Sequence, residues 1–162
     1  MAAMPASMLP FDIGLAIARL ATPLPGALRA VGTSADMAAI TQLRDFPAPC
    51  AYVLLAREKA TKTSSGASIP GQQSARSQLI TVTFGVVLVV RNLRAQRGDA
   101  LRDELRDSLG ALRSRLLGWT PPLPSATACE LVQGDLSDYD AGTAIWTDIW
   151  RTQHTLNNGV SA

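Results

Sequence analysis

The sequence predicts an α+β fold: a mostly antiparallel, mixed β-sheet with about three helices packed mainly on one face. Three observations carry this. Residues 78–91 (QLITVTFGVVLVVR) place Ile80, Val82, Phe84, Val86, Leu88 and Val90 on alternate positions, the pattern of a strand with one face buried throughout. Residues 99–117 place Leu101, Leu105, Leu109, Leu112 and Leu116 at steps of four, four, three and four, one face of an α-helix. Two further strand-like segments then close the chain, and strands arriving in pairs favour antiparallel pairing beside helices.

Taken in order, residues 1–10 read as an irregular leader with two prolines, Pro5 and Pro10. Residues 11–21 place Ile13, Ile17 and Leu20 at helical spacing. Asp12 favours the start of that helix, and Pro23 and Pro25 end it. A short extended piece is expected from Leu28 to Val31. Thr33 and Ser34 then offer N-caps to a second helix over roughly 35–44, with Met37, Ile40 and Leu43 on its apolar side. The segment 46–57 (FPAPCAYVLLAR) reads as a strand opened by Pro47 and Pro49, where proline is tolerated.

Residues 58–77 lose all periodicity and are rich in Lys, Thr, Ser, Gly and Gln. They are expected to form a long polar loop, either a functional arm or disordered. Folded back as a hairpin, such a stretch reaches about 30 Å. Its basic residues Lys59, Lys62 and Arg76 make it a candidate for contact with a neighbouring subunit, for a solvated loop, or for a surface facing DNA in a channel.

In the 78–91 strand the odd positions pass from Thr81 and Thr83 to Val87 and Val89, so the second face should become buried towards the C-terminal end. Asp99 suits the start of the 99–117 helix, and Gly118, Pro121 and Pro122 its end. Residues 128–136 and 143–153 are the closing strands, joined by a turn around 137–142. In the second, Trp146, Asp148 and Trp150 share one face and Ile145 and Ile149 the other. A short C-terminal tail is expected over 154–162, and its end, NNGVSA (157–162), carries no fold signal. At 162 residues the chain is expected to form a single domain, able to bury roughly 70% of its unfolded surface.

Composition narrows the function classes. A net charge of +2 is too small to make nucleic acid or an acidic membrane the main partner. No apolar run approaches the roughly 18 residues of a membrane span. The N-terminus lacks the charged start and unbroken apolar stretch of a signal peptide, so synthesis in a bacterial cytoplasm is expected. Cys50 and Cys129 lack metal-ligand spacing and read as buried reduced thiols.

The sole histidine, His154, reads as an edge or surface residue of the last strand. Asp135, Asp138 and Asp140 lack the terminal glutamate and glycine of a calcium loop and read as an acidic turn. Trp119, Trp146 and Trp150 read as core or interface residues rather than a stacking platform. No nucleophile elbow or nucleotide-binding glycine motif occurs. No catalytic residue, metal or cofactor is therefore indicated.

The segments FPAPCAYVLLA (46–56), FGVVLVVRN (84–92), LLGWTP (116–121), LVQGDL (131–136) and IWTDIWRT (145–152), in this order, together resemble the tail terminator family of long-tailed phages. The resemblance spans roughly residues 10–153. It implies a structural virion protein forming a homohexameric ring at the head-proximal end of the tail. Such a ring stops polymerisation of the tail tube and presents a surface to the head–tail connector or neck protein. Its implied partners are itself, the tail tube protein, the connector and, as a further contact, the tape measure protein. Genomic DNA passes through the lumen without sequence-specific binding. The polar stretch 58–77 looks long for the family, and Trp150 stands where the closing motif takes an aromatic residue. A different neck or head–tail joining subunit, and a small enzyme or DNA-binding module, are the alternatives.

Overall fold

The computed structural model describes residues 8–22, 28–65, 70–71, 73–92, 99–140 and 142–159. The predicted leader therefore lies largely outside the described residues, as do Pro23, Pro25 and 66–69 of the polar stretch. The chain runs α1 (Ile13–Ala21), β1 (Ala30–Thr33), α2 (Ser34–Ala38), β2 (Cys50–Ser65), β3 (Arg76–Arg91), α3 (Asp99–Leu116), β4 (Glu130–Asp140) and β5 (Thr143–Asn157). Among the described residues the strands form one five-stranded sheet in the order β1-β2-β3-β5-β4. Only the β1–β2 pair is parallel, so the sheet is mixed and mostly antiparallel. The fold is α+β, with three α-helices among the described residues, in line with the about three that the sequence predicts.

The alternation in β3 decides which side of the sheet is covered. Its even residues Ile80, Val82, Phe84, Val86, Leu88 and Val90 join Ala51, Val53 and Trp150 in the main core. α1 covers this face with Ala16 and Leu20, and α3 with Leu101, Leu109, Leu112 and Leu116. Phe11, just before α1, stacks on Phe84 with ring centroids 5.4 Å apart. The other face is covered at one end only. There Cys50, Tyr52, Val87, Val89 and Ile145 pack with Phe46, and Met37, Ile40 and Leu43 lie against them. Burial along β3 thus changes from one-sided near Thr81 to two-sided beyond Val86, the change foreshadowed by its odd positions.

Local chemistry sets the helix ends. Asp12 caps α1 by accepting from the Gly14 N–H at 2.8 Å. Thr33 and Asp36 form a reciprocal capping box on α2. After α3, Gly118 takes φ +78°, a left-handed conformation that glycine enters without strain, and its N–H donates to the Cys129 carbonyl at 3.0 Å.

Four boundaries differ from the sequence expectation, each for a physical reason. The second helix stops at Ala38, and a 3-10 turn follows at Leu43–Asp45. The strict three-residue step of Met37, Ile40 and Leu43 fits short tight turns better than 3.6 residues per turn. The Arg91 guanidinium fixes this corner by donating to the carbonyls of Leu43 and Phe46. The polar stretch 58–77 is not a loop along its whole length: β2 continues to Ser65 and β3 begins at Arg76. Bulges between Leu55 and Arg57 and between Ala60 and Lys62 break the two-residue period there. β4 runs on to Asp140, and its bulges between Leu131 and Gln133 and between Leu136 and Asp138 likewise mask the strand. β5 extends past Gln153 to Asn157, pairing with β3 as far as Ser77.

Candidate interaction surface

The three basic residues of the polar stretch lie along the β2–β3 hairpin and are not gathered into one patch. Lys59 pairs with Thr81, Lys62 with Leu79, and Arg76 with Ser65. From Lys59 to Ser65 is a rise of about 20 Å at strand geometry. Lys59 and Arg76 are both exposed. The parity of β3 puts Lys59, opposite Thr81, on the face turned away from α1 and α3. It puts Arg76 on the helix side. There Arg76 lines a groove of about 400 Å³ with Met8, Thr63, Gln78 and Leu156. The Arg76 backbone is tied to Asn158, whose N–H donates to the Arg76 carbonyl at 3.1 Å.

The leucines of α3 form the opposite kind of surface. Leu101, Leu109, Leu112 and Leu116 are buried against the sheet, and Leu105 is half-buried at the margin of the core. The other faces of α3 carry exposed Arg102, Arg106 and Asp107 and half-buried Asp103, paired with one another and with Asp99. Such solvated pairs add little stability.

Two polar constellations join residues far apart in the sequence. Asp148 is 1% exposed in the middle of β5. Arg113 of α3 reaches it with two bonds, Nε to Oδ2 at 2.8 Å and Nη2 to Oδ1 at 2.7 Å. The Trp146 indole N–H donates to the same carboxylate at 2.8 Å. These bonds hold the Arg113 guanidinium above its ordinary pKa. The shared face of Trp146, Asp148 and Trp150 held a signal: a carboxylate between two core-facing indoles needs a cationic partner. Arg113, beside Leu112 on the leucine row, meets it.

His154 is also buried, at 1% exposure, which corrects the expected edge or surface position. It pairs with Ile80 of β3, and the segment 124–127 bonds along its other side through Thr127 and Thr155. The extension of β5 beyond Gln153 places it there. Its Nε2 lies 4.0 Å from Glu58 Oε1, which accepts the Phe11 backbone N–H at 3.0 Å.

The tryptophans serve the core. Trp150 is fully buried, and Trp119 and Trp146 pack partly buried against the same cluster. Cys50 and Cys129 are free, buried thiols, and burial pushes the Cys129 thiol up to about 11.

What remains open is the rim of the sheet. β1 covers β2 only from Cys50 to Val53, so β2 has no partner on that side from Leu54 onwards among the described residues. β4 is the other edge. Leu55 on β2 and Val132, Leu136 and Tyr139 on β4 are exposed. Asp135, Asp138 and Asp140 are spread along β4, opposite Thr147, Ile145 and Thr143, rather than clustered in a turn.

Open, partly apolar sheet edges of this kind are suited to contact with another chain. The chain is a structural component of a phage tail. It belongs to the phage tail terminator family, whose model matches residues 6–159 of 162. Among proteins of curated function, none matches the chain.

Proposed function

We propose that this chain is one wedge of a closed homohexameric ring at the head-proximal end of the tail tube. The ring ends polymerisation of the tube protein and offers its opposite surface to the head–tail connector or neck protein. The tape measure protein ends within reach of the ring, and genomic DNA passes through the lumen without base-specific contact. The observation that carries this reading is the family match over almost the whole chain. The sheet supports it: its two edges are different strands, as a head-to-tail interface requires, and repetition of such an interface closes into a ring when the rotation allows.

Electron microscopy of particles assembled without this protein tests the role. Tails that grow beyond normal length and carry no heads are the expected outcome. Tails of normal length that fail only to join heads would place the protein in the neck instead.

A further inference from the structure

We infer that the open edge of β2, from Leu54 to Ser65, pairs antiparallel with the open edge of β4 of a second copy of this chain. The inference rests on the ring reading and names the surface that builds the ring.

Four observations converge on these two edges. First, the lengths match: β1 takes four residues of the sixteen-residue β2, and β4 offers eleven. Second, the directions match. β2 is antiparallel to β3, β3 to β5 and β5 to β4, so β2 and β4 run in opposite senses within one sheet. The β4 of a second copy therefore docks beside β2 antiparallel with neither subunit turned over. The same step can then be repeated around a circle.

Third, the charges match. Arg57 and Lys59 are exposed and sit opposite Thr83 and Thr81, on the face away from α1 and α3. Asp135 and Asp138 are exposed opposite Thr147 and Ile145, whose β3 partners Val87 and Val89 put them on that same face. In a continuous sheet the basic row of one copy stands beside the acidic row of the next, where opposite charges stabilise and like charges repel. Fourth, exposed Leu55 on one edge and Val132, Leu136 and Tyr139 on the other supply apolar area to bury.

Bulges normally guard an edge against indiscriminate pairing. Here each edge carries two, and they leave regular runs, Arg57–Ala60 and Gln133–Leu136, whose shared faces allow Arg57 to stand opposite Asp135 and Lys59 opposite Gln133. An edge shaped in this way favours one complementary strand over strands in general.

Cysteine cross-linking of the full-length protein tests the pairing, because Cys50 and Cys129 are buried and out of reach. Chains carrying Arg57→Cys or Lys59→Cys are mixed with chains carrying Asp135→Cys and oxidised. A covalent dimer in the mixture, at least roughly tenfold above either variant alone, is expected. A charge-reversal set is read in parallel by native mass. Lys59→Glu and Asp135→Lys should each cut the assembled fraction roughly tenfold, and the double reversal should restore it. Unchanged thermal melts show that each variant is folded. If the unaltered chain forms rings while neither cysteine pair links and the double reversal restores nothing, the edge pairing is wrong and the ring reading survives. If the unaltered chain remains a single protomer at high concentration, both are overturned.

Discussion

Gly134 lies where three side chains converge, and a methyl group there would have no room. A Cβ at this position would press into Asp148 Oδ1 and stand 2.8 Å from Arg113 Nη2 and 2.9 Å from Trp146 Nε1. Gly134→Ala is expected to destabilise the protein by about 1–3 kcal/mol, read by urea denaturation, because the Arg113–Asp148 pair must shift to admit it. Arg113→Met should cost about 3 kcal/mol or more, since it leaves a buried carboxylate held only by the Trp146 indole. Adding Asp148→Leu to that variant should recover most of the loss, because both partners are then apolar. His154 gives a different signature. Burial pulls its imidazole below the ordinary value of 6.5, while the Glu58 carboxylate pulls in the other direction. Below pH 6.5 the unfolded chain takes up a proton that the folded chain refuses. Stability from this group is therefore complete above pH 6.5 and declines as pH falls through the folded value. The melting temperature should drop between pH 7 and pH 5, and the drop should be smaller in His154→Gln.

At the scale of the elements, the leucines of α3 are graded by depth. Leu109→Ala and Leu112→Ala are expected to cost about 2–5 kcal/mol in thermal or chemical unfolding. Leu105→Ala should cost less, since Leu105 is half-buried. Equal losses at Leu105 and Leu112 would contradict this grading. The same elements show what a sequence reveals. β3 carries no bulge against β5, so its alternation survives intact and gives both its span and its buried face. α3 repeats along a regular helix and ends at a glycine with positive φ, so its limits were equally plain. β2 and β4 each carry two bulges, and every bulge resets the two-residue period. The hairpin legs therefore read as loop, although they are strand. The buried polar groups were hidden for another reason. Asp148 and Arg113 are 35 residues apart, and only the packing of α3 on β5 joins them.

For the whole molecule, the sheet is fully paired in the middle and, among the described residues, open at both margins, which are where one copy meets the next in the proposed ring. No helix among the described residues is long and apolar enough to cross a membrane. The family match, rather than any gathered set of reactive groups, carries the functional reading. Its coarse part, a structural role in a phage tail, was legible in five short segments, because their order along the chain had to agree. The candidate surface was less legible. The sequence pattern groups Lys59, Lys62 and Arg76 as one basic arm, yet the pleat sends Lys59 and Arg76 to opposite faces.

The uneven covering of β3 has a dynamic consequence. Its upper half, Val86 to Val90, is sealed from both sides, whereas near Gln78 to Thr81 the face away from the helices lacks the second core. Deuterium exchange should therefore grade along a single strand, slowest at the amides of Val87 to Val89 and faster towards Ser77.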